Sequence, residues 1–213
     1  HGTNVIQGLA VSLEACADGV ARRLTVVAPP GTGKSRLLDE VSDLASERGA
    51  DVRHARVRPD ALSAFRPIVD LIGRALASEG IETGDELRAS LARQLEAERA
   101  EVVASELWAL LAGSEDGAVD EAAETRRSAR FAAWSEGLAA LGDGFEVWLV
   151  EDVHWSDPDL RAFLGAATEA DRRGRLVVCT SRPSILEGDP AWVNEGETLA
   201  LEPLSVVSTE ELV

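Results

Sequence analysis

The sequence predicts an α/β fold of three layers, α/β/α, around a mainly parallel sheet. Three observations carry that expectation. Short, nearly continuous apolar runs alternate with segments of helical spacing, as parallel strands buried on both faces require. A glycine-rich turn, Ala28-Pro29-Pro30-Gly31-Thr32-Gly33-Lys34-Ser35, joins one apolar run to one helical segment. A second apolar run, Phe145 to Val150, ends in an acidic pair, Glu151-Asp152.

The elements follow in order. Val5, Ile6, Leu9, Leu13 and Cys16 have helical spacing, which predicts a helix over about 4–18, stopped by Asp18-Gly19. Leu24 to Val27 is the first strand, followed by the glycine-rich turn and a helix to about Glu47. Asp51 to Val57 alternates as a second strand, and Phe65, Ile68, Val69, Ile72 and Leu76 stripe a helix over 64–77. Residues 81–142 read as helical nearly throughout, with candidates at 86–95, 101–111 and 122–141. That length exceeds a single crossover, so a helical insertion on the core of about 20–80 and 143–205 is expected. Gly113 to Asp120 breaks it as a polar, mobile loop. Trp108 and Trp134 are expected in its core. After the strand at 145–150, Asp157 suits an N-cap and Pro158 the first turn of a helix to about Arg172. Arg172 and Arg173 would then offset the dipole at its end. Arg175 to Ser181 is a buried strand, Thr198 to Leu201 a last short one, and Pro203-Leu204-Ser205 leads into a new helix. There is no internal repeat and no low-complexity tract.

The 213 residues suffice for one large α/β domain with a real core. The chain starts at His1 and stops in mid-pattern at Val213, which suggests a domain excised from a longer multidomain protein. The formal charge of −17 argues against this segment gripping a nucleic-acid backbone, which needs a basic face. Apolar stretches fall far short of the roughly 20 residues that span a bilayer. Cys16 and Cys179 lack metal-ligand spacing and are expected reduced and partly buried, consistent with a cytoplasmic location. His154 makes no metal site, because the other histidines, His1 and His54, have no ligand spacing to it.

The turn at 28–35 has the chemistry of the phosphate-binding loop of a P-loop NTPase, the Walker A motif. Gly31 and Gly33 let the backbone curl so that successive N–H groups face phosphate oxygens, and the helix N-terminus behind them adds its dipole. Pro30, Gly31, Thr32, Gly33, Lys34, Ser35 and Arg36 are the candidate nucleotide-binding residues. Lys34 supplies a point charge for the β- and γ-phosphates, and the Ser35 hydroxyl is a ligand for Mg²⁺. Glu151 and Asp152 sit where a Walker B strand carries its acids, at the strand's C-terminal tip. By order along the strand, Glu151 is better placed for the metal and Asp152 for the attacking water, with both counted among the candidate metal and catalytic residues. Arg182, after the next buried strand, is placed to reach the γ-phosphate as a sensor. His154 and Trp155 either pack the loop under the site or relay a signal from it.

Through Glu151-Asp152-Val153-His154-Trp155-Ser156-Asp157-Pro158, the chain resembles the STAND ATPases, the signal-transduction ATPases with numerous domains. The branch it resembles occurs in bacterial large ATP-binding transcriptional regulators and nucleotide-cyclase-linked multidomain proteins. Thr180-Ser181-Arg182-Pro183, Pro67 after Phe65-Arg66, and Leu201-Glu202-Pro203-Leu204-Ser205 fit the same pattern. The resemblance implies a switch in which ATP binding and slow hydrolysis control opening and self-association, with ATP or ADP and Mg²⁺ as cofactors. It also implies partner domains in the same protein. The family's opening Val-Gly-Arg-Glu has only Gly2 as a counterpart, within His1-Gly2-Thr3-Asn4. Two other readings stand beside it: a degenerate, non-hydrolysing interaction module, and an AAA-type remodelling or DNA-loading motor.

Overall fold

A computed structural model of the chain describes residues 2–59, 63–113, 123–169 and 174–201. Five strands form one sheet: β1 (Arg22–Val27), β2 (Asp51–Arg56), β3 (Glu146–Glu151), β4 (Arg175–Ser181) and β5 (Glu197–Ala200). Their order is β2-β3-β4-β1-β5, and every pairing is parallel. The α/β/α expectation holds. The helices are α1 (Gly2–Ala17), α2 (Lys34–Ser46), α3 (Arg66–Glu79), α4 (Gly84–Leu91), α5 (Ala97–Leu111), α6 (Ala123–Ala140) and α7 (Pro158–Glu169), with two short ones, α8 (Ile185–Gly188) and α9 (Pro190–Asn194).

The two-residue alternation of a strand sorts side chains into two cores. Val147 and Leu149 of β3 and Leu176 and Val178 of β4 face α1 and α2. Trp148 and Val150, with Val177 and Cys179, face α3, α6 and α7. The second core is aromatic at its centre: Phe65, Phe131, Trp134 and Phe163 make edge or tilted contacts at 5.0–5.8 Å, and Trp148 stacks on Phe163 at 6.1 Å.

Charge also enters this core. Glu146 and Arg175 are fully buried and joined by Arg175 Nε donating to Glu146 Oε2 at 2.9 Å. Arg53 of β2 reaches the other Glu146 oxygen at 2.9 Å and donates to the Leu138 carbonyl at the end of α6. Arg175 also donates to the carbonyls of Ala167 and Ser135, so one arginine ties β3, α6 and α7 together.

Several expectations need correction. Trp134 is core, but Trp108 is 41% exposed, because Val103, Ala104, Leu107 and Leu110 take the inward stripe of α5. The helices α8 and α9 and the 3-10 turn at Val153–Trp155 have no counterpart in the periodicity, being too short to show one. The loop expected at 113–120 lies, beyond Gly113, outside the described residues, as do Arg172, Arg173 and the helix after Pro203. Both cysteines are buried and neither forms a disulfide. Among the described residues, no helix is long and apolar enough to cross a membrane.

Candidate functional site

The strand order builds the site. Parallel strands all present their C-terminal tips on one side, where ligands bind in open α/β sheets. β4 lies between β1, which feeds the glycine-rich loop, and β3, which ends in the acids. Arg182 follows β4, so topology sets it between the two.

Gly31 and Gly33 have φ of +78° and +86°, in the left-handed region. A Cβ at either would meet nothing within 4 Å, so backbone conformation rather than lack of room calls for glycine. Gly33 caps α2 without a side-chain bond, leaving first-turn N–H groups open to an anion. The loop is held from within: Thr32 Oγ1 donates to the Pro29 carbonyl at 2.8 Å. Lys34 Nζ arches back and donates to the carbonyls of Ala28 (3.0 Å) and Pro29 (2.9 Å). Burial lowers the Lys34 pKa from its ordinary value; Asp152 opposes that shift and Arg182 adds to it. Lys34 thus feels both the β3 and β4 tips. Pro30 is exposed on the loop, and Arg36 lies along α2, paired with Glu40 at 3.3 Å.

The Ser35 hydroxyl donates to Glu151 Oε2 at 2.9 Å, across 116 positions of sequence. This is the contact that joins the two motifs. The other oxygen, Glu151 Oε1, lies 3.0 Å from His54 Nε2 on β2. Asp152 turns away from the strand with φ +60°, the one positive φ at a non-glycine among the described residues. Left-handed aspartate is tolerated because its short polar side chain bonds locally. Here the Asp152 N–H donates to Thr180 Oγ1 of β4 (3.2 Å), and Arg56 Nε and Nη2 donate to Asp152 Oδ2 at 3.1 and 2.9 Å.

Behind Asp152 the chain makes its 3-10 turn. Val153 is fully buried, and Ser156 Oγ donates to the Val153 carbonyl at 2.6 Å. The His154 and Trp155 rings lie 4.9 Å apart, and Trp155 is 46% exposed. The Arg182 guanidinium carbon stands 5.6 Å from the Trp155 ring centre. Desolvation lowers the His154 pKa; Asp152 opposes it, while Arg182 and then Lys34 reinforce it. Asp157 caps α7 by accepting from the Leu160 N–H at 3.0 Å.

His54 and Arg56 were not among the sequence candidates. They stand two apart on β2, on its less buried face, and each engages one acid of β3. Their alternation was legible; their register, Arg56 opposite Glu151, was not.

The donor set fits Mg²⁺. Ser35 Oγ and Glu151 Oε2 are hard oxygens 2.9 Å apart, and neighbouring oxygens on an octahedral Mg²⁺ stand about 3 Å apart. Mg²⁺ is commonly held by one or two protein oxygens plus phosphates and waters. The described residues contain no cluster of three or more His, Cys, Asp or Glu able to hold a metal.

Comparison with known proteins agrees with this geometry. A solved structure of Drosophila ORC bound to DNA superposes with a TM-score of 0.51 at 8% identity, covering 97% of this chain and 30% of that one. A structure of C. elegans PCH-2 superposes with a TM-score of 0.45 at 15% identity, covering 93% and 41%. The chain therefore spans under half the length of either, and the likeness to Drosophila ORC concerns the fold alone. No curated protein matches the sequence. The family described as AAA ATPase domain matches residues 3–179, which include the glycine-rich loop, the acidic pair and most of β4. A match over most of the chain, on a sheet that brings Ser35 to Glu151, places this protein in the AAA ATPase domain family.

Proposed function

We propose that this chain is the ATP-binding and slowly ATP-hydrolysing switch of a multidomain bacterial signalling or transcription-regulatory protein of the STAND type. The observation that carries the reading is the convergence of Lys34, Ser35, Glu151, Asp152 and Arg182 at one end of the sheet, with the Ser35–Glu151 contact at 2.9 Å. The acid–His–Trp–x–Asp run supports the STAND assignment over a remodelling motor, as does the charge of −17.

On this reading the loop from Pro30 to Gly33 cradles the phosphates of ATP or ADP, with Arg36 at its edge. Lys34 and Arg182 counter the charge that develops on the terminal phosphate. Ser35 and Glu151 hold Mg²⁺, which supplies further charge neutralisation when bound, and Asp152 lies beside that site. Asp152 orients the attacking water and draws its proton. Arg56 ties Asp152 Oδ2 with two N–H groups, which restrains that carboxylate where it stands. Slow turnover is the expectation for a switch that must dwell in its ATP state, and Asp152 is a methylene shorter than a glutamate in that place. The partners are nucleotide, neighbouring domains of the same protein, and other proteins or further copies of the chain, with no direct grip on nucleic acid. A cytoplasmic location accords with two buried cysteines that form no disulfide.

Phosphate release from Mg-ATP tests this. The wild-type chain turns over more slowly than about 1 s⁻¹, below the bulk of ordinary enzymes. Asp152→Asn lowers the rate by at least about 100-fold, the usual contribution of a positioned base. A wild-type rate well above that limit contradicts the timer, and binding without any turnover marks a non-hydrolysing module.

A further inference from the structure

The 3-10 turn after the acidic pair holds a side chain that the reading above leaves without a task. Both ring nitrogens of His154, Nδ1 and Nε2, are shielded from solvent and have no hydrogen-bond partner among the described residues. A neutral imidazole carries one N–H donor and one acceptor, and a charged one carries two donors. Native structures satisfy such groups, and an exception asks for an explanation.

The other buried polar atoms without a hydrogen-bond partner among the described residues are Arg23 Nη1, Arg53 Nε, His54 Nε2, Trp134 Nε1, Trp192 Nε1 and Thr198 Oγ1, of which His54 Nε2 faces Glu151 Oε1 at 3.0 Å. Arg53 and Trp134 lie in the packed core, and Arg23 stacks on Trp192 with its guanidinium carbon 3.5 Å from the ring centre. His154 differs in its surroundings. It is two residues past Asp152, its ring packs on Trp155 at 4.9 Å, and Arg182 approaches the same Trp155 ring at 5.6 Å. It also lies within electrostatic reach of Asp152, Arg182 and Lys34, groups carried by the β3 tip, the β4 tip and the start of α2. On the nucleotide-switch reading, those three groups frame the position of a terminal phosphate.

The backbone holds the ring there. Asp152 is pinned through its N–H to Thr180 Oγ1, Val153 is a fully buried plug, and Ser156 closes the turn onto the Val153 carbonyl.

We infer that His154 donates a hydrogen bond to the terminal phosphate of a bound nucleoside triphosphate, and that the site tells triphosphate from diphosphate through it. The inference rests on the nucleotide-switch reading and deepens it. It requires no change in protonation, because the imidazole has an N–H in either state. Trp155 and Arg182 share a contact with this turn, so the same event is felt at an exposed aromatic beside the site.

Calorimetry on the 213-residue chain tests it, with the Mg²⁺ complexes of ADP and of the β,γ-imido analogue of ATP as probes. His154→Phe weakens the triphosphate about tenfold and leaves ADP within about twofold, the scale of one hydrogen bond to a charged group. His154→Gln, which keeps a side-chain N–H, recovers most of the loss. Equal weakening of both nucleotides by His154→Phe would assign the ring to packing of the turn and overturn the inference, as would no weakening of either. A second readout needs no variant. The imidazole ¹⁵N resonances of wild-type His154 shift with the triphosphate analogue and not with ADP; resonances unmoved by the triphosphate would overturn the inference even if the variants fail to fold. A wild-type chain that binds neither nucleotide would instead remove the switch reading itself, and that arm is read first.

Discussion

Cys179 illustrates what burial does to one residue. It lies on β4 with no exposed surface, and desolvation pushes its thiol up to about 12, against a small opposing effect of Arg23. An unfolded chain ionises that thiol near 9.0, so between about 9 and 12 the folded state holds a proton that the unfolded state has released. Stability contributed by the neutral thiol is therefore intact below pH 9 and lost as pH rises through that window. Denaturant melts across the window should show stability falling with pH, and a Cys179→Ala variant should fall less. Thiolate absorbance checks the ionisation directly, because the chain has no tyrosine to overlap it. The site was partly legible at this scale. Lys34, Ser35, Glu151 and Asp152 stand out because phosphate and metal chemistry fix residue types at fixed spacings within one strand and one loop. Arg56 and His54 do not, because their roles come from pairing between β2 and β3 across about ninety residues of chain.

At the scale of elements, β3 and β4 were visible as apolar runs, yet each begins with a buried charge that hydropathy alone does not explain. Arg53, Glu146 and Arg175 form one buried array, with Trp148 donating to Glu146 at 3.3 Å and its ring lying 4.1 Å from the Arg175 guanidinium carbon. Breaking such an array from one side leaves charge uncompensated. Glu146→Gln should therefore cost about 3–5 kcal/mol in urea unfolding, because Arg175 and Arg53 both lose the Glu146 charge, with Arg53 keeping Asp51. A loss below about 1 kcal/mol would show that water or other acceptors replace the carboxylate. Helix α4 shows the opposite case. Its N-terminus is fixed by local chemistry, Thr83 and Glu86 forming a reciprocal capping box, which starts the helix at Gly84, two residues before the expected 86. The helices α8 and α9 are too brief for periodicity, and α9 is held by Asp189 accepting from the Trp192 N–H.

The whole molecule is a sheet whose strand order does the assembling. Alternating strands and helices announce parallel strands, but no local pattern says that β4 lies between β1 and β3. That insertion sets Arg182 between the glycine-rich loop and the acids, and brings the turn bearing His154 within reach of Lys34. The central claim is that this end of the sheet binds nucleotide. The most direct measurement is calorimetric titration of the chain with Mg-ATP and Mg-ADP, beside Lys34→Ala. Binding of both nucleotides by the wild type, lost in the variant while its melting temperature holds, is the predicted result. Absence of binding by the wild type, or equal binding by the variant, would contradict it.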